Sequence, residues 1–375
     1  MRLLYVTDAL AIYGGLERVL TQKVNWLAEH GHDVFVLTAN QGNHPFCFSL
    51  HPKVQYDDLS VLFHLQYCFP IWKRVVVRRE LNQKFRQGLK DVIQEFSPDI
   101  IICVKLEYVR NIIRVKGEIP FVFESHSSCL CGIFEKDSIS RRLYMWYLKL
   151  ALDKAEAVVA LTNGDAKEWQ RYSSDVYVIP NVVSLNNSQL SDCSSKSAIF
   201  VGRFTKQKDV DSLFQIWSVV YQRHPDWKLN IYGGYGNMQD EIMTKVSKMN
   251  MGIVVHSPSS DLITKYKENS MLLFTSIFEP FGLVLPEAMS CGLPVVAFDC
   301  PYGPSDIVSD GIDGFLVKDR NCNMFADKVC MLMNDLEMRR KMGEKGAQFS
   351  RRYDETHIMP IWNNLFVKIL RHERV

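Results

Sequence analysis

Two glutamates eight positions apart stand in the segment whose residue types most clearly suggest chemistry. Residues 276–298 read SIFEPFGLVLPEAMSCGLPVVAF, with Glu279 in a Pro/Gly-rich turn and Glu287 in the first turn of a predicted helix. An apolar run precedes the turn, so the turn follows the carboxyl end of a predicted strand, where open α/β sheets bind ligands. Each carboxylate can accept two hydrogen bonds from a sugar or ribose diol. A loop glutamate followed by a dipole-complementing glutamate would give the same spacing.

Basic side chains follow a second predicted strand. The segment 201–213, VGRFTKQKDVDSL, places Arg203 and Lys208 between the strand and a helix that starts near Asp209. Cations beside a helix N-terminus suit a diphosphate, although solvated surface charges have the same pattern. Asp209 and Asp211 also form an acidic pair, but aspartate is a common helix N-cap, so we do not predict a metal site there.

Two further segments carry candidate ligand-binding residues. Gly14 and Gly15, in YGGLERVL at 13–20, open the first predicted helix and let its N–H groups approach a ligand closely. The spacing is not GxGxxG, so no nicotinamide-dinucleotide site is predicted. In FVFESHSS at 121–128, His126 follows a buried strand, where it can hydrogen-bond or protonate a ligand. A structural loop histidine is the alternative.

Strands that alternate with helices must position these residues. Short apolar runs rich in β-branched residues predict strands buried on both faces, and they occur at 2–7, 34–39, 99–104, 120–125, 157–162, 198–204, 228–234, 251–257, 271–276 and 293–298. Helix-like segments between them indicate βαβ units and parallel sheets.

A polar, Ser/Asn-rich stretch at 184–196 divides this pattern. It predicts an N-terminal domain at 1–183, a linker at 184–196, a C-terminal domain at 197–350 and a final helix at 351–375. The expected fold is therefore α/β, with two doubly wound parallel-sheet domains.

Composition excludes several classes of protein. The chain has 375 residues, enough for two domains, and 44 basic against 42 acidic residues give no global field for nucleic acid. No apolar stretch reaches the ~18 residues of a membrane span, and the first residues resemble a strand more than a signal peptide. The 10 cysteines are mostly scattered singly, and the pair Cys129 and Cys131 lacks the spacing of a zinc or redox motif. We therefore expect a cytoplasmic protein with reduced thiols.

One segment, 62–90, is both aromatic and basic. Residues 62–72 read LFHLQYCFPIW, and between 71 and 90 seven cations stand against one acid, which gives a local charge of +6. The seven are Lys73, Arg74, Arg78, Arg79, Lys84, Arg86 and Lys90, against Glu80. A basic helix beside exposed aromatics suits an anionic membrane surface. The alternative is a solvated helix face whose aromatics belong to the core.

Together these residues resemble the retaining glycosyltransferases of family 4, which have the GT-B fold of two Rossmann-like domains facing across a cleft. The most specific part is the E-x7-E pattern of Glu279 and Glu287 in EPFGLVLPE, and the resemblance covers nearly the whole chain. The glycine loop at 14–18, the Pro180-Asn181 dipeptide and CPYGPSDIVSDGIDGFLV at 300–317 also resemble that family. The last is typical of members that build bacterial surface polysaccharides.

The resemblance implies a role for each candidate in the C-terminal domain. Glu287 would hold the ribose hydroxyls of a nucleotide-sugar, and Glu279 would lie at the transferred sugar. Backbone N–H groups near the sugar hydroxyls would come from Phe281, Gly282 and Leu283.

Arg203 and Lys208 would neutralise the leaving diphosphate, so the resemblance implies no metal and no other cofactor. His126 matches an N-terminal-domain histidine near the sugar. The N-terminal domain would bind the acceptor, and the final helix would cross back onto it.

Two departures from the family pattern bear on the mechanism. The family usually has glycine after the clamp lysine, whereas this chain has Asp209, whose charge would weaken diphosphate binding unless it turns away as an N-cap. No residue is evident as a nucleophile, although Glu279 is a candidate. Retention in this fold is usually ascribed to departure and attack on the same face of the sugar, assisted by the leaving phosphate.

The sequence thus predicts a glycosyltransferase that moves a hexose or N-acetylhexosamine from a nucleotide-diphosphate sugar, most simply a UDP-sugar. The expected acceptor is a saccharide, lipid-linked at the cytoplasmic face of a membrane that the segment 62–90 contacts, and no nucleic acid partner is expected. Two alternatives stay open: a nucleotide-sugar epimerase of similar fold, which needs no acceptor, and a catalytically silent scaffold, which would not bind donor.

Overall fold

The computed structural model describes residues 1–127, 139–186, 188–234, 236–259 and 261–371, with the backbone alone at 139–145. Cys129 and Cys131 lie outside these residues. The chain divides into two compact units, one formed by Met1–Val182 with Met359–Val375 and the other by Val183–Ile358. The polar stretch at 184–196 belongs to the second unit.

The first unit is built on a seven-stranded parallel sheet. Its strands are β1 (Arg2–Thr7), β2 (Asp33–Thr38), β3 (Gln55–Asp58), β4 (Ile100–Cys103), β5 (Phe121–Glu124), β6 (Ala157–Ala160) and β7 (Val176–Val178). Its helices are α1 (Gly15–Glu29), α2 (Ile71–Phe96), α3 (Leu106–Ile113), α4 (Ile139–Leu152) and α5 (Asn163–Trp169), with a 3-10 turn at Phe63–Cys68. The strand order is β3-β2-β1-β4-β5-β6-β7, with every pair parallel.

The second unit repeats this design with six strands. They are β8 (Ser197–Arg203), β9 (Lys228–Gly234), β10 (Ile253–His256), β11 (Leu272–Phe274), β12 (Val295–Phe298) and β13 (Gly314–Val317), in the order β10-β9-β8-β11-β12-β13. The helices are α6 (Val210–Arg223), α7 (Gln239–Lys248), α8 (Leu262–Lys267), α9 (Val284–Ser290), α10 (Gly303–Ile307), α11 (Cys322–Asn334) and α12 (Leu336–Ser350). Short 3-10 helices occupy Lys206–Lys208, Lys318–Arg320 and Arg351–Tyr353, and α13 (Glu355–Leu370) follows.

Burial explains why the apolar runs form parallel strands. Every residue of β4, β5, β6 and β12 is buried, as expected for strands covered by helices on both faces. Each unit has its own core, centred on Trp169 and Phe123 in the first and on Trp217 and Phe298 in the second. The predicted fold class, two doubly wound parallel-sheet units, is confirmed.

The strand order locates where a ligand would bind in each unit. The order reverses beside the first strand, between β1 and β4 in one sheet and between β8 and β11 in the other. Connections leave in opposite directions at such a switch point, and a crevice opens beyond the carboxyl ends of the strands. The loops after β8 and β11 carry most of the candidate residues of the second unit.

Helix α2 differs from the other helices of its unit. None of its first 14 residues, 71–84, is buried, whereas Phe85, Leu89, Val92 and Phe96 reach the core. Its exposed apolar residues are Ile71 (77%), Trp72 (76%), Val75 (72%) and Val76 (56%), which we call the apolar stripe. In the described part of the chain, no helix is both long and apolar enough to cross a bilayer.

Candidate functional site

The loops after β8 and β11 bring two predicted residues into direct contact. The Nζ of Lys208 lies 2.5 Å from Oε2 of Glu279, and the two side chains are only 14% and 13% exposed. Ser276 donates a hydrogen bond to the same oxygen at 3.3 Å. The ammonium also lies 5.4 Å from the centroid of the Phe274 ring. A largely desolvated ion pair therefore occupies the switch point of the second sheet.

The backbone of Glu279 is anchored to the loop that follows β12. Its N–H donates to the carbonyl of Pro301 at 2.6 Å, and its carbonyl accepts from the N–H groups of Tyr302 and Gly303 at 2.9 and 2.8 Å. A Cβ built on Gly303 would overlap the carbonyl of Phe281, so the close approach of the two loops requires glycine at that position. The CPYGP segment thus fixes the position of Glu279.

The turn after Glu279 has the geometry expected of a Pro/Gly turn. Gly282 has φ +93°, which glycine adopts without strain. Phe281 is buried and packs edge-on against Tyr353, with ring centroids 5.3 Å apart. Within the described residues, no acceptor contacts the backbone N–H groups of Phe281, Gly282 or Leu283. These are the groups that the family resemblance assigns to the sugar hydroxyls.

Glu287 lies deeper in the fold than Glu279. It belongs to the first turn of α9, is 2% exposed and accepts a hydrogen bond from the Tyr266 hydroxyl at 3.2 Å. The Ser290 hydroxyl donates to its carbonyl at 2.7 Å. The two glutamates therefore differ in environment, since one is paired with a lysine near the surface and the other is enclosed.

Arg203 is the last residue of β8, and its side chain is exposed. The structure does not bring it into contact with Lys208 or Glu279. Gly202, immediately before it, packs against the methylene groups of Lys208, at 3.4 Å from a Cβ built on the glycine. Arg203 lies at the same sheet edge as the pair of Lys208 and Glu279, and its side chain is exposed to solvent.

Asp209 caps α6 and forms no acidic pair with Asp211. It has φ +47° and accepts hydrogen bonds from the Ser212 N–H at 3.2 Å and the Ser212 hydroxyl at 2.6 Å. Arg320 forms an ion pair with Oδ2 of Asp209, the oxygen that also accepts from the Ser212 hydroxyl. Asp211 instead pairs with Lys245 at 2.7 Å. The left-handed backbone at 209 explains why glycine suits this position, and the cap with Arg320 shows how aspartate is accommodated.

Arg320 is a residue that sequence reasoning missed. One Nη donates to the Ser276 carbonyl at 2.9 Å and the other to the Thr275 carbonyl at 3.1 Å, while the guanidinium lies 4.4 Å from the Phe298 ring centroid. It thereby joins the loops after β8 and β11. It follows β13 at the same carboxyl edge as the other candidates, and that placement rule would have identified it.

In the first unit, His126 belongs to a buried charged cluster. Its Nε2 lies 2.9 Å from Oε1 of Glu124, the last residue of β5, and Lys23 of α1 pairs with the same oxygen. Burial alone would raise the pKa of Glu124, but the charges of Lys23 and His126 and their hydrogen bonds outweigh it and hold that pKa at about 2.

The lysine of this cluster is enclosed by aromatic rings. Its Nζ lies 4.1 Å from the centroid of Trp362 and 5.6 Å from that of Tyr5. Burial lowers the pKa of Lys23, and the charge and hydrogen bond of Glu124 act in the opposite direction. The cluster links α1 to the loop that carries His126.

Gly14 and Gly15 lie at the start of α1, after β1. Gly14 is the extended N-cap residue, with φ −117°, and the helix begins at Gly15. The neighbouring Tyr13 and Ile12 are 78% and 65% exposed. A Cβ built on Gly14 would meet only the flexible end of Glu17. His126 and the glycines thus belong to the first unit, whereas Lys208, Arg203 and the two glutamates belong to the second.

Among the described residues, no group of three or more His, Cys, Asp or Glu side chains is arranged to hold a metal ion. Lys208 is the cation that contacts Glu279, and Arg203 and Arg320 lie at the same edge of the sheet. The site combines a Lys–Glu pair, free backbone donors and an exposed arginine at one sheet edge. Such a site can bind hydroxyl groups and a phosphorylated leaving group.

Two parallel-sheet units of this topology, each with candidate residues at its carboxyl edge, define a protein of the GT-B class. Residues 13–187 match the model of Glycosyltransferase Family 4, and residues 185–349 match the model of Glycosyl transferases group 1. The chain belongs to this family, and it is a glycosyltransferase.

A named relative resembles this chain in sequence, and two solved structures resemble it in fold. The amylovoran biosynthesis glycosyltransferase AmsD of Erwinia amylovora is 25% identical over 384 residues, which covers 97% of this chain and 99% of that protein. Sucrose-phosphate synthase from Thermosynechococcus elongatus superposes with a TM-score of 0.83 at 19% identity, over 99% of this chain and 100% of that one. A TarM variant from S. aureus, solved with fondaparinux, alpha-GlcNAc-glycerol and UDP, gives 0.79 at 15% identity, over 97% and 99%.

Proposed function

We propose that this glycosyltransferase moves a hexose or N-acetylhexosamine from a UDP-sugar to a saccharide acceptor, with retention of anomeric configuration, in the biosynthesis of a bacterial surface polysaccharide. The observation that carries the proposal is the contact between Lys208 and Glu279 at the switch point of the second sheet. The name of AmsD supports the polysaccharide product, and the UDP bound by TarM supports the donor class.

The proposed mechanism is electrostatic. Lys208 moves from Glu279 to the donor diphosphate, and Arg203 adds a second positive charge, so the side chains supply the neutralisation that a metal would otherwise provide. Glu279, released from the lysine, accepts hydrogen bonds from the sugar hydroxyls. The backbone N–H groups at 281–283 donate to the same sugar, and Glu287 holds the ribose.

Transfer then requires no enzymatic nucleophile. The bond between the anomeric carbon and the diphosphate oxygen breaks, the acceptor hydroxyl bonds to the same face of that carbon, and its proton passes to the departing phosphate. The first unit binds the acceptor. There His126 hydrogen-bonds or protonates a ligand group, and the glycine loop at Gly14 and Gly15 offers backbone N–H groups. Glu124 orients the imidazole of His126 through the contact at its Nε2.

The acceptor is proposed to be lipid-linked, with the enzyme peripheral on the cytoplasmic face of the membrane. The apolar stripe of α2 supports this, because four large apolar side chains are exposed next to basic residues on one helix. Trp72→Ser combined with Val76→Ser should lower binding to lipid vesicles without loss of stability, since neither side chain is buried. Met243→Ser, which alters an exposed residue of the second unit, is the control.

The donor site is tested with Lys208→Ala. Thermal shift with UDP, GDP, ADP and their common hexose forms identifies the donor series, because a ligand that binds the folded state raises the unfolding temperature. The variant should lose most of the shift that the wild type shows. Lys228→Ala removes an exposed lysine at the opposite, amino end of β9 and should keep it.

Three outcomes would contradict the proposal. Unchanged donor affinity in Lys208→Ala would exclude the diphosphate clamp. Conversion of the UDP-sugar without an acceptor would identify an epimerase. Absence of binding to every nucleotide would identify a silent scaffold.

A further inference from the structure

Five arginines converge on one concave surface of the first unit, and none of them belongs to the residues proposed for transfer. The cavity has a volume of about 520 Å³. We call it the arginine groove, and its lining residues are Val75, Arg78, Arg79, Asn82 and Arg86 of α2 with Glu107, Arg110, Asn111 and Arg114 of α3 and its C-terminal cap. The residues recur every three or four positions on each helix, so each set lies on one helix face.

The positive charge of the arginine groove is not neutralised by the protein. Five guanidinium groups stand against the single carboxylate of Glu107. None of the five arginines forms an ion pair with a residue in the described part of the chain. The Nε of Arg110 is buried, and no described residue accepts a hydrogen bond from it. Like charges held this close repel one another, and a bound anion would relieve the repulsion.

Neutral partners hold three of the guanidinium groups in place. Arg86 donates to the Asn111 side-chain oxygen at 3.0 Å, and Asn111 is itself buried. The guanidinium carbon of Arg110 lies 3.7 Å from the ring centroid of Tyr147, and Arg114 donates to the Tyr147 hydroxyl at 3.4 Å. The hydrogen bonds and charges of Arg110 and then Arg114 lower the pKa of the Tyr147 phenol, as expected beside uncompensated cations.

We propose that the arginine groove binds the phosphate or diphosphate headgroup of a membrane lipid. Guanidinium groups bind phosphate oxygens in pairs, and several fixed arginines suit a group with more than one negative charge. The apolar stripe points to a lipid rather than a free anion, because Val75 belongs to both surfaces and the stripe residues Ile71 and Trp72 lie about one turn before it on α2. A headgroup in the groove would place its acyl chains near the stripe.

The inference rests on the membrane contact of the proposed function and not on the transfer reaction. It identifies Arg110 and Arg114, which lie outside the segment 62–90, as members of the same surface. It also separates two contributions to membrane binding: apolar insertion through the stripe, which is independent of headgroup charge, and headgroup recognition through the groove.

The test compares the full chain on phosphatidylcholine vesicles with and without phosphatidic acid, by flotation. Arg86→Gln with Arg110→Gln keeps hydrogen-bond donors but removes two charges from the groove. It should lower affinity for the anionic vesicles by about tenfold or more and leave binding to neutral vesicles unchanged. Arg79→Gln with Arg114→Gln, at exposed positions, should have the same effect if the first variant folds poorly.

A matched control removes two charges elsewhere in the same unit. Lys154→Gln with Arg171→Gln changes exposed residues, of which Arg171 is already paired with Glu168. This variant should bind anionic vesicles like the wild type. The UDP-dependent thermal shift serves as the independent reading of the donor site, and it should be the same in all variants.

Four outcomes would overturn the inference. Equal loss in the control would mean that net charge alone attracts the vesicles. Equal binding by groove variants and wild type would remove the groove as a site. Inorganic pyrophosphate that binds the groove without competing with vesicles would identify a free anion as the ligand, and a DNA duplex bound as tightly as the vesicles would identify nucleic acid. A lost UDP shift in the wild type would contradict the proposed function alone.

Discussion

At the residue scale, the ion pair of Lys208 and Glu279 makes the two predicted roles depend on one another. The sequence placed the lysine at the diphosphate and the glutamate at the sugar, 71 positions away. The structure shows each neutralising the other. In the proposed mechanism, the donor therefore has to break a largely desolvated contact. A nucleotide without a sugar cannot replace Lys208 as the partner of Glu279, so the ion pair should oppose its binding.

Glu279→Gln should consequently tighten the binding of UDP while it abolishes transfer. The variant leaves Lys208 uncompensated until a diphosphate arrives, so we expect UDP affinity to rise by about five- to tenfold. Calorimetric titration of UDP measures this. Glu268→Gln, which breaks an exposed pair with Lys265 in the same unit, should leave the affinity unchanged. Weaker UDP binding by Glu279→Gln would contradict the exchange of partners.

The buried cluster around Glu124 predicts a stability effect without any ligand. Glu124→Gln leaves the enclosed ammonium of Lys23 without a counter-charge, which should cost about 3–5 kcal/mol of unfolding free energy. Asp226→Asn, which breaks the exposed pair with Lys196, should have little effect on the free energy of unfolding. Denaturant unfolding followed by circular dichroism compares them. Equal effects would mean that the cluster is not desolvated.

The same carboxylate predicts a pH dependence. Because the folded-state pKa of Glu124, about 2, lies below its ordinary value of 4.5, the unfolded state binds more protons in acid. Its contribution is complete above about pH 4.5 and is lost as the pH falls toward 2, with a total of about 3 kcal/mol. Wild-type stability should fall more steeply across this window than that of Glu124→Gln. Parallel curves would exclude Glu124 as a source of acid lability.

At the element scale, the alternation of strands and helices was predictable, and so was the edge where ligands bind. Apolar runs such as those of β4 and β12 are buried on both faces, so composition alone identifies them. Edge strand β3, with the sequence QYDD, carries no such pattern, because it forms only by pairing with β2. Backbone pairing, not side-chain burial, determines that element.

Contacts between distant side chains were not predictable in the same way. A lysine in an amphipathic helix is expected at the surface, yet Lys23 is buried because Glu124 arrives from β5, 101 positions later. Arg320 likewise donates to backbone carbonyls just after β11. Every residue type has such a carbonyl, so the sequence does not reveal the contact. The candidate loops could be found from sequence, but the residues that hold them in place depend on the folded arrangement of strands.

The glycine contact between two loops predicts a combined loss of stability and donor binding. Gly303→Ala forces the loop after β12 away from Phe281, and that loop anchors Glu279. We expect a loss of about 2 kcal/mol or more of unfolding free energy and a reduced UDP-dependent thermal shift. Gly346→Ala in α12 meets only side-chain atoms at ordinary contact distance, of Met289 at 3.4 Å and of Asp313 at 3.7 Å, and should change stability by about 1 kcal/mol or less. A full UDP shift in Gly303→Ala would show that the anchoring is dispensable.

At the scale of the whole molecule, each unit has its own core and its own proposed ligand. Hydrogen–deuterium exchange with UDP should therefore slow exchange around residues 203–209 and 276–287 and leave 71–114 unchanged. Vesicles that contain phosphatidic acid should produce the opposite pattern. Mass spectrometry of peptides from both experiments resolves the two regions. Protection of 71–114 by UDP would contradict the assignment of donor binding to the second unit.

The ion pair between Asp209 and Arg320 has a consequence for how this sequence can evolve. The two positions are 111 residues apart, and neither side chain has the same environment without the other. A change from Asp209 to glycine would relieve the backbone strain but leave the Arg320 guanidinium without its carboxylate partner. That change would add an uncompensated positive charge beside Lys208 and the loop of Glu279. Loss of Arg320 alone would leave an uncancelled carboxylate there. We expect drift at these positions to proceed by paired replacement, with substitution at one site conditional on the residue already present at the other.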